Sequence, residues 1–155
     1  MAAPVIYMLD TNMVSYIVTG QSPAARDCML NLPDGSICCV SSVTEGEICY
    51  GLAKRPSVAF RSLVDGFLAS IRVLAWGREE AQVYGLMRAK LQTAGVPLGS
   101  LDMMIAAHAA ATSAVLVTND KAFDRVGTLG FAEGLSATVN WATDLPLLSK
   151  GSNHR

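Results

Sequence analysis

Short apolar runs that break off at polar residues, separated by stretches too long for hairpin turns, limit what this 155-residue chain can fold into. Val5 to Leu9 stops at Asp10-Thr11-Asn12, and further runs of strand character lie at Ser36 to Val40, Val73-Leu74, Val115 to Thr118 and Ala137 to Trp141. Helical segments fill the gaps. One follows Asn12; Ser22-Pro23 has N-cap and first-turn chemistry for a helix through about Asn31, and Pro33-Asp34-Gly35 makes a turn. In S-S-V-T-E-G-E-I-C-Y-G, either Ser42 with Glu45 or Thr44 with Glu47 makes a capping box. Helices are predicted from Ser57 to about Ile71, from Arg78 to Ala94, from a Ser100 cap over Leu101 to about Ala111, and from Asp120 to Val126. Parallel strands need such crossovers, so the pattern predicts an α/β fold with a mostly parallel sheet covered on both faces. One domain is expected over residues 1–149, with a loose tail over 150–155.

Hydrophobic residues make up 51% of the chain and charged residues 16%, which excludes disorder and leaves apolar surface for a partner. Cys28, Cys38, Cys39 and Cys49 form no C-x-x-C pair, and buried reduced thiols are expected, with Cys38 and Cys39 on opposite faces of their strand. The N-terminus lacks the basic segment of a signal peptide. The longest apolar stretch, Met103 to Val117, is interrupted by His108, Thr112 and Ser113 and is too short to span a membrane, so a cytoplasmic protein is expected. A net charge of −1 supplies no basic stripe for nucleic acid; carboxylates gathered around bound cations are compatible with that balance.

The acids carry the chemistry. Ligands of open parallel sheets bind beyond the carboxyl ends of the strands, where Asp10 and Asp120 belong. Asp102 starts a helix, L-D-M-M-I-A-A-H-A-A-A, that is apolar on nearly every face and therefore buried, so its carboxylate needs an amide nest, an Arg or a metal. Glu45 and Glu47 lie about 200° apart on a helix and cannot share one pocket. Glu47 falls on the face of Gly51, where the missing side chain permits close approach of a neighbouring element or a ligand; Glu45 suits the cap with Ser42. Oxygen ligands without His or Cys select Mg2+ or Mn2+. His108 reads as a packed, hydrogen-bonded core histidine, and His154 lies in the tail. With no pair of positioned histidines, hydrolysis by metal-activated water is the expected chemistry. Asn12 and Thr118 are candidates for positioning water or phosphate; Lys54, Arg55, Lys121 and Arg125, each a short way along the chain from an acid, are candidate contacts to the phosphates of a nucleic acid.

Taken together, L-D-T-N at 9–12, S-S-V-T-E-G-E-I-C-Y-G at 41–51, P-L-G-S-L-D-M-M-I-A-A-H-A at 97–109 and L-V-T-N-D-K-A-F-D-R-V at 116–126 resemble, in order and over nearly the whole chain, the VapC toxins of bacterial VapBC pairs, which are PIN-domain proteins. The resemblance implies that Asp10, Glu47, Asp102 and Asp120 form the metal site. It also implies a three-layer α/β/α sandwich, a homodimer, a VapB-like antitoxin that occludes the site, and structured RNA such as tRNA as substrate. Ser100 stands where these toxins commonly have Pro, and Glu45-Gly46 where apolar residues are more usual. The rival readings are a PIN-like RNA- or protein-binding module without catalysis, a dehalogenase-type phosphatase and a dinucleotide-binding domain. The phosphatase needs an acid where Asn12 stands, and the last needs a glycine-rich turn that L-D-T-N lacks.

Overall fold

Among the described residues, five short strands, β1 (Ile6–Leu9), β2 (Ile37–Ser41), β3 (Arg72–Leu74), β4 (Val115–Val117) and β5 (Thr138–Val139), form one sheet in the order β3-β2-β1-β4-β5. The computed structural model describes residues 3–127 and 137–148. All four strand pairings are parallel, so the expected mostly parallel sheet is wholly parallel among the described residues. Among the described residues, seven helices connect the strands: α1 (Thr11–Thr19), α2 (Pro23–Leu30), α3 (Ser42–Lys54), α4 (Val58–Ser70), α5 (Arg78–Thr93), α6 (Ser100–Ala111) and α7 (Asp124–Gly127), the last preceded by a 3-10 turn, Lys121–Phe123.

The two-residue period of the strands sorts their side chains into two cores. Met8, Cys39 and Leu116, aligned across three strands, pack with Met87 and Leu91 of α5, the buried face of α6, and Phe123 and Val126. Their neighbours Leu9, Val40 and Val117 point the other way, onto Val14 and Ile17 of α1, Leu52 of α3, Val64 of α4 and Trp141. The result is the three-layer α/β/α sandwich, each helix layer burying one face of the sheet. Helix α6 is buried from Ile105 to Ala110, as its apolar sequence requires, and its alanines present so little bulk that α5 and the strands pack directly against it.

Local caps account for the helix starts. Asp10, Ser22, Ser41 and Ser57 each accept an amide hydrogen bond from the first turn of the helix that follows. Ser41 corrects the expected start of α3: the cap is one residue before Ser42, so neither anticipated capping box forms there, and Glu45 is a half-buried first-turn residue. Ser42 instead accepts from the Trp76 amide. Ser100 is likewise the first helical residue rather than the cap, a place taken by Gly99. Gly20 ends α1 in the left-handed region at φ +73°.

The cysteine expectation holds in part. Cys38 and Cys39 face opposite cores, and burial pushes their thiols up to about 11 and about 12, whereas Cys28 and Cys49 are exposed. No helix among the described residues is long and apolar enough to cross a membrane. The anticipated tail, with His154, lies outside the described residues.

Candidate active site

The strand order reverses between β1 and β4, and such a switch point opens a crevice at the carboxyl edge of a parallel sheet. Asp10 leaves β1 there. Its amide still pairs with the Val117 carbonyl at 3.1 Å, while its Oδ1 accepts from the Met13 amide at 2.8 Å. Asp120 leaves β4 by the parallel route, its Oδ1 accepting from the Ala122 amide at 2.9 Å. Both acids therefore do cap their helical turns, and the caps aim them at the rim. Thr118 joins the two: its Oγ1 accepts from the Asp120 amide at 3.0 Å, and its hydroxyl hydrogen-bonds the Asp10 carboxyl.

Two helix starts bring in the other acids. Glu47, in the second turn of α3, accepts at Oε1 a 2.7 Å hydrogen bond from the Thr11 hydroxyl in the first turn of α1. Asp102 stands in the first turn of α6 and is half-buried. It is electrostatically coupled to all three others: Asp120 and Glu47 raise its own affinity for a proton, and it raises that of Asp10.

Burial dominates these shifts and repulsion adds to them. Asp10, 5% exposed, is raised from 3.8 to about 7, chiefly by loss of solvent, with the Thr118 and Met13 hydrogen bonds opposing and Asp102 and Asp120 adding to the rise. Asp102 is raised to about 6, again first by burial, then by Asp120 and Glu47.

Among the described residues, no three His, Cys, Asp or Glu side chains already converge on one ion position. The donor chemistry nonetheless fits a hard divalent cation: four carboxylates, oxygen ligands only, with unfavourable charge that a cation would neutralise. Thr44, one turn before Glu47, is fully buried and its Oγ1 has no hydrogen-bond partner among the described residues.

The remaining candidates divide by position. Thr118 is buried at the junction of Asp10 and Asp120. Asn12 is exposed and lines a groove with Thr11, Glu47 and Gly51. A side chain added at Gly51 would meet nothing within 4 Å, so no neighbouring element of the chain approaches closely there, and the glycine leaves space in the groove for a ligand. Lys121 borders an indentation beside Asp120, and Arg125 is exposed on α7. Lys54 and Arg55 end α3, about 10–12 Å of helix rise beyond Glu47, and are not brought to the acids.

Two supporting residues escaped the sequence reading. Thr11 adjoins Asp10 in L-D-T-N, yet its partner Glu47 is 36 positions away, and only the packing of α1 on α3 pairs them. Asn119 is 1% exposed; it donates to the Pro146 carbonyl at 3.0 Å and accepts from Asn140 at 2.8 Å, holding the later chain against Asp120. A buried Asn between two site residues was its signal. His108 is the packed core histidine expected, 1% exposed, with Nδ1 2.8 Å from Ser41 Oγ and Nε2 3.6 Å from Glu80 Oε1.

The model of the PIN domain matches residues 7–129. Among similar curated proteins, the tRNA(fMet)-specific endonuclease VapC of Shigella flexneri is 37% identical over 126 residues, covering 79% of this chain and 93% of that one. Ribonuclease VapC2 of Rickettsia felis is 32% identical over 126 residues, covering 80% and 94%. Among solved structures, VapBC2 from Rickettsia felis bound to a promoter DNA fragment superimposes with a TM-score of 0.79 at 29% identity, covering 88% of this chain and 99% of that one.

Proposed function

The chain belongs to the PIN-domain family, among its VapC-type members, and from that premise we propose that it is a divalent-cation-dependent endoribonuclease toxin whose site is Asp10, Glu47, Asp102 and Asp120. The observation that supports the reading is the electrostatic coupling of Asp102, in the first turn of α6, to Asp10 after β1, Glu47 of α3 and Asp120 after β4.

Mg2+ or Mn2+ held by these acids would supply Lewis acidity toward a phosphodiester and lower the pKa of a nearby water. The chain's own residues prepare the place. The first-turn amides fix Asp10 and Asp120, the Thr118 hydroxyl ties one to the other, and Thr11 holds Glu47 at the α1 side. Burial of Asp10 keeps water from screening the charges. Lys121, exposed next to Asp120, and Arg125, exposed on α7, are suited to phosphate oxygens. Because no protein base is required at the RNA 2′-hydroxyl, RNA preference comes from shape and contacts, with structured RNA such as tRNA the proposed class.

A VapB-like antitoxin and a second copy of the chain are the proposed protein partners. The groove beside Glu47, floored by Val14, Val18, Ile48, Phe60 and Val64, supports a partner segment that covers the site, and exposed Leu30, Tyr50, Leu63 and Leu86 offer further apolar surface.

Product analysis tests the chemistry. Cleavage of RNA in Mg2+ or Mn2+ is expected to leave 5′-phosphate and 3′-hydroxyl ends, and Asp10→Asn is expected to lose at least a hundredfold in kcat while remaining folded. A 2′,3′-cyclic phosphate, or full activity after exhaustive chelation, overturns the mechanism.

A further inference from the structure

Glu47 and Asp102 stand on different helices and repel each other, so something must hold α3 and α6 at a set distance. Two cross-links do so. Trp76 bonds Ser42 of α3 through its amide at 3.1 Å and the Met104 carbonyl of α6 through its indole Nε1 at 3.0 Å. The second runs through His108, which lies off the Asp102 face of α6 and touches none of the four acids in the hydrogen bonds and ion pairs described for it.

The polar atoms around His108 form a continuous line. Ser41 Oγ lies 2.8 Å from Nδ1 and also accepts from the Val43 amide at 3.1 Å, as the cap of α3. On the far side, Glu80 Oε1 lies 3.6 Å from Nε2, while Glu80 Oε2 accepts from the Gly77 amide at 3.0 Å, as part of the cap of α5. A neutral imidazole with its proton on Nε2 satisfies this line: Nε2–H faces the carboxylate, and Nδ1 accepts from the Ser41 hydroxyl, whose oxygen stays open to Val43. The ring thus joins the start of α3 to the start of α5 through the middle of α6. Ser41 and His108 are both nearly solvent-free, at 0% and 1% exposure, so no water competes for these bonds.

We propose that His108, held between Ser41 and Glu80, is a positioning residue that sets the separation of α3 and α6 and with it the spacing of Glu47 and Asp102. The proposal rests on the cation-binding reading of those acids. Its test is Mn2+ affinity of the full chain, measured by calorimetry without RNA. Ser41→Ala and His108→Gln are each expected to weaken Mn2+ binding about tenfold, the low end for residues that orient ligands. Ser22→Ala removes the equally buried cap of α2, beyond the far end of α1 from Asp10, and is expected to lower Tm comparably with Mn2+ affinity unchanged. In the wild-type chain, nitrogen NMR shifts of His108 are expected to show the neutral Nε2–H form. An Nδ1–H form, unchanged Mn2+ affinity in Ser41→Ala and His108→Gln, or an equal loss of affinity in Ser22→Ala overturns the positioning role and leaves the cation reading standing. A wild-type chain that binds no Mn2+ overturns both.

Discussion

Asp10 meets two opposed demands, since its position at the start of α1 favours a carboxylate while burial disfavours one, and burial wins. With its pKa raised from 3.8 to about 7, the folded chain binds more protons than the unfolded chain between those values. The contribution of this residue to stability is therefore full below about pH 4 and is lost as pH rises through 7. Asn keeps the oxygen that accepts from Met13 but cannot ionise. In cation-free protein, Asp10→Asn is expected to gain a few kcal/mol over wild type between pH 4 and pH 8, measured by urea unfolding at both values. A constant difference across that range would falsify the assignment of the raised pKa to Asp10. Of the neighbours, Asp120 was legible from its place after a strand, as was Asp10. Thr11 was not, because its significance lies in a hydrogen bond to a residue three elements away in sequence.

Helix α6 joins packing to chemistry: its first turn carries Asp102, and from Ile105 to Ala110 it is closed in by α5 and the sheet. The absence of bulk at Ala106, Ala107 and Ala109, all 0% exposed, permits that closeness. Ala109→Leu is expected to cost about 1–3 kcal/mol by overpacking, read as a lower urea midpoint. Wild-type stability in that variant would mean α6 is less tightly enclosed than described. That this segment is a buried helix was readable from its composition. The start of α3 was not: Ser41, Ser42 and Thr44 all have cap chemistry, and Ser41 is chosen because β2 carries the chain to that point before turning. Ser42 is then released to bond Trp76, and Thr44 is turned into the interior.

For the molecule as a whole, the proposed cation site of four acids predicts that cations and folding are linked. A ligand that binds only the folded state at a hundred times its Kd adds about 2.7 kcal/mol. Saturating Mn2+ is therefore expected to raise Tm by roughly 5–10 °C for a chain of this size, reversed by chelation, and to do so less in Asp102→Asn. Equal Tm with and without Mn2+ would remove the basis for placing a cation among these acids. The gain should also shrink as pH falls below 7, because protons compete for Asp10 and Asp102.

Strand and helix order, a mostly parallel sheet and the buried character of α6 were determined by the sequence itself, and its four motifs carried the resemblance that groups Asp10, Glu47, Asp102 and Asp120. Periodicity and strand-end placement are local properties, and the four motifs occur in a fixed order. The tertiary structure decided what depends on juxtaposition. It placed the switch point between β1 and β4 and chose Ser41 as the cap of α3. It paired Thr11 with Glu47 and strung Ser41, His108 and Glu80 into one line. It also set Lys54 and Arg55 at the end of α3, about two turns beyond Glu47. Distances between residues far apart in the chain follow from how two helix layers close on one sheet, and no local run of residues contains that information.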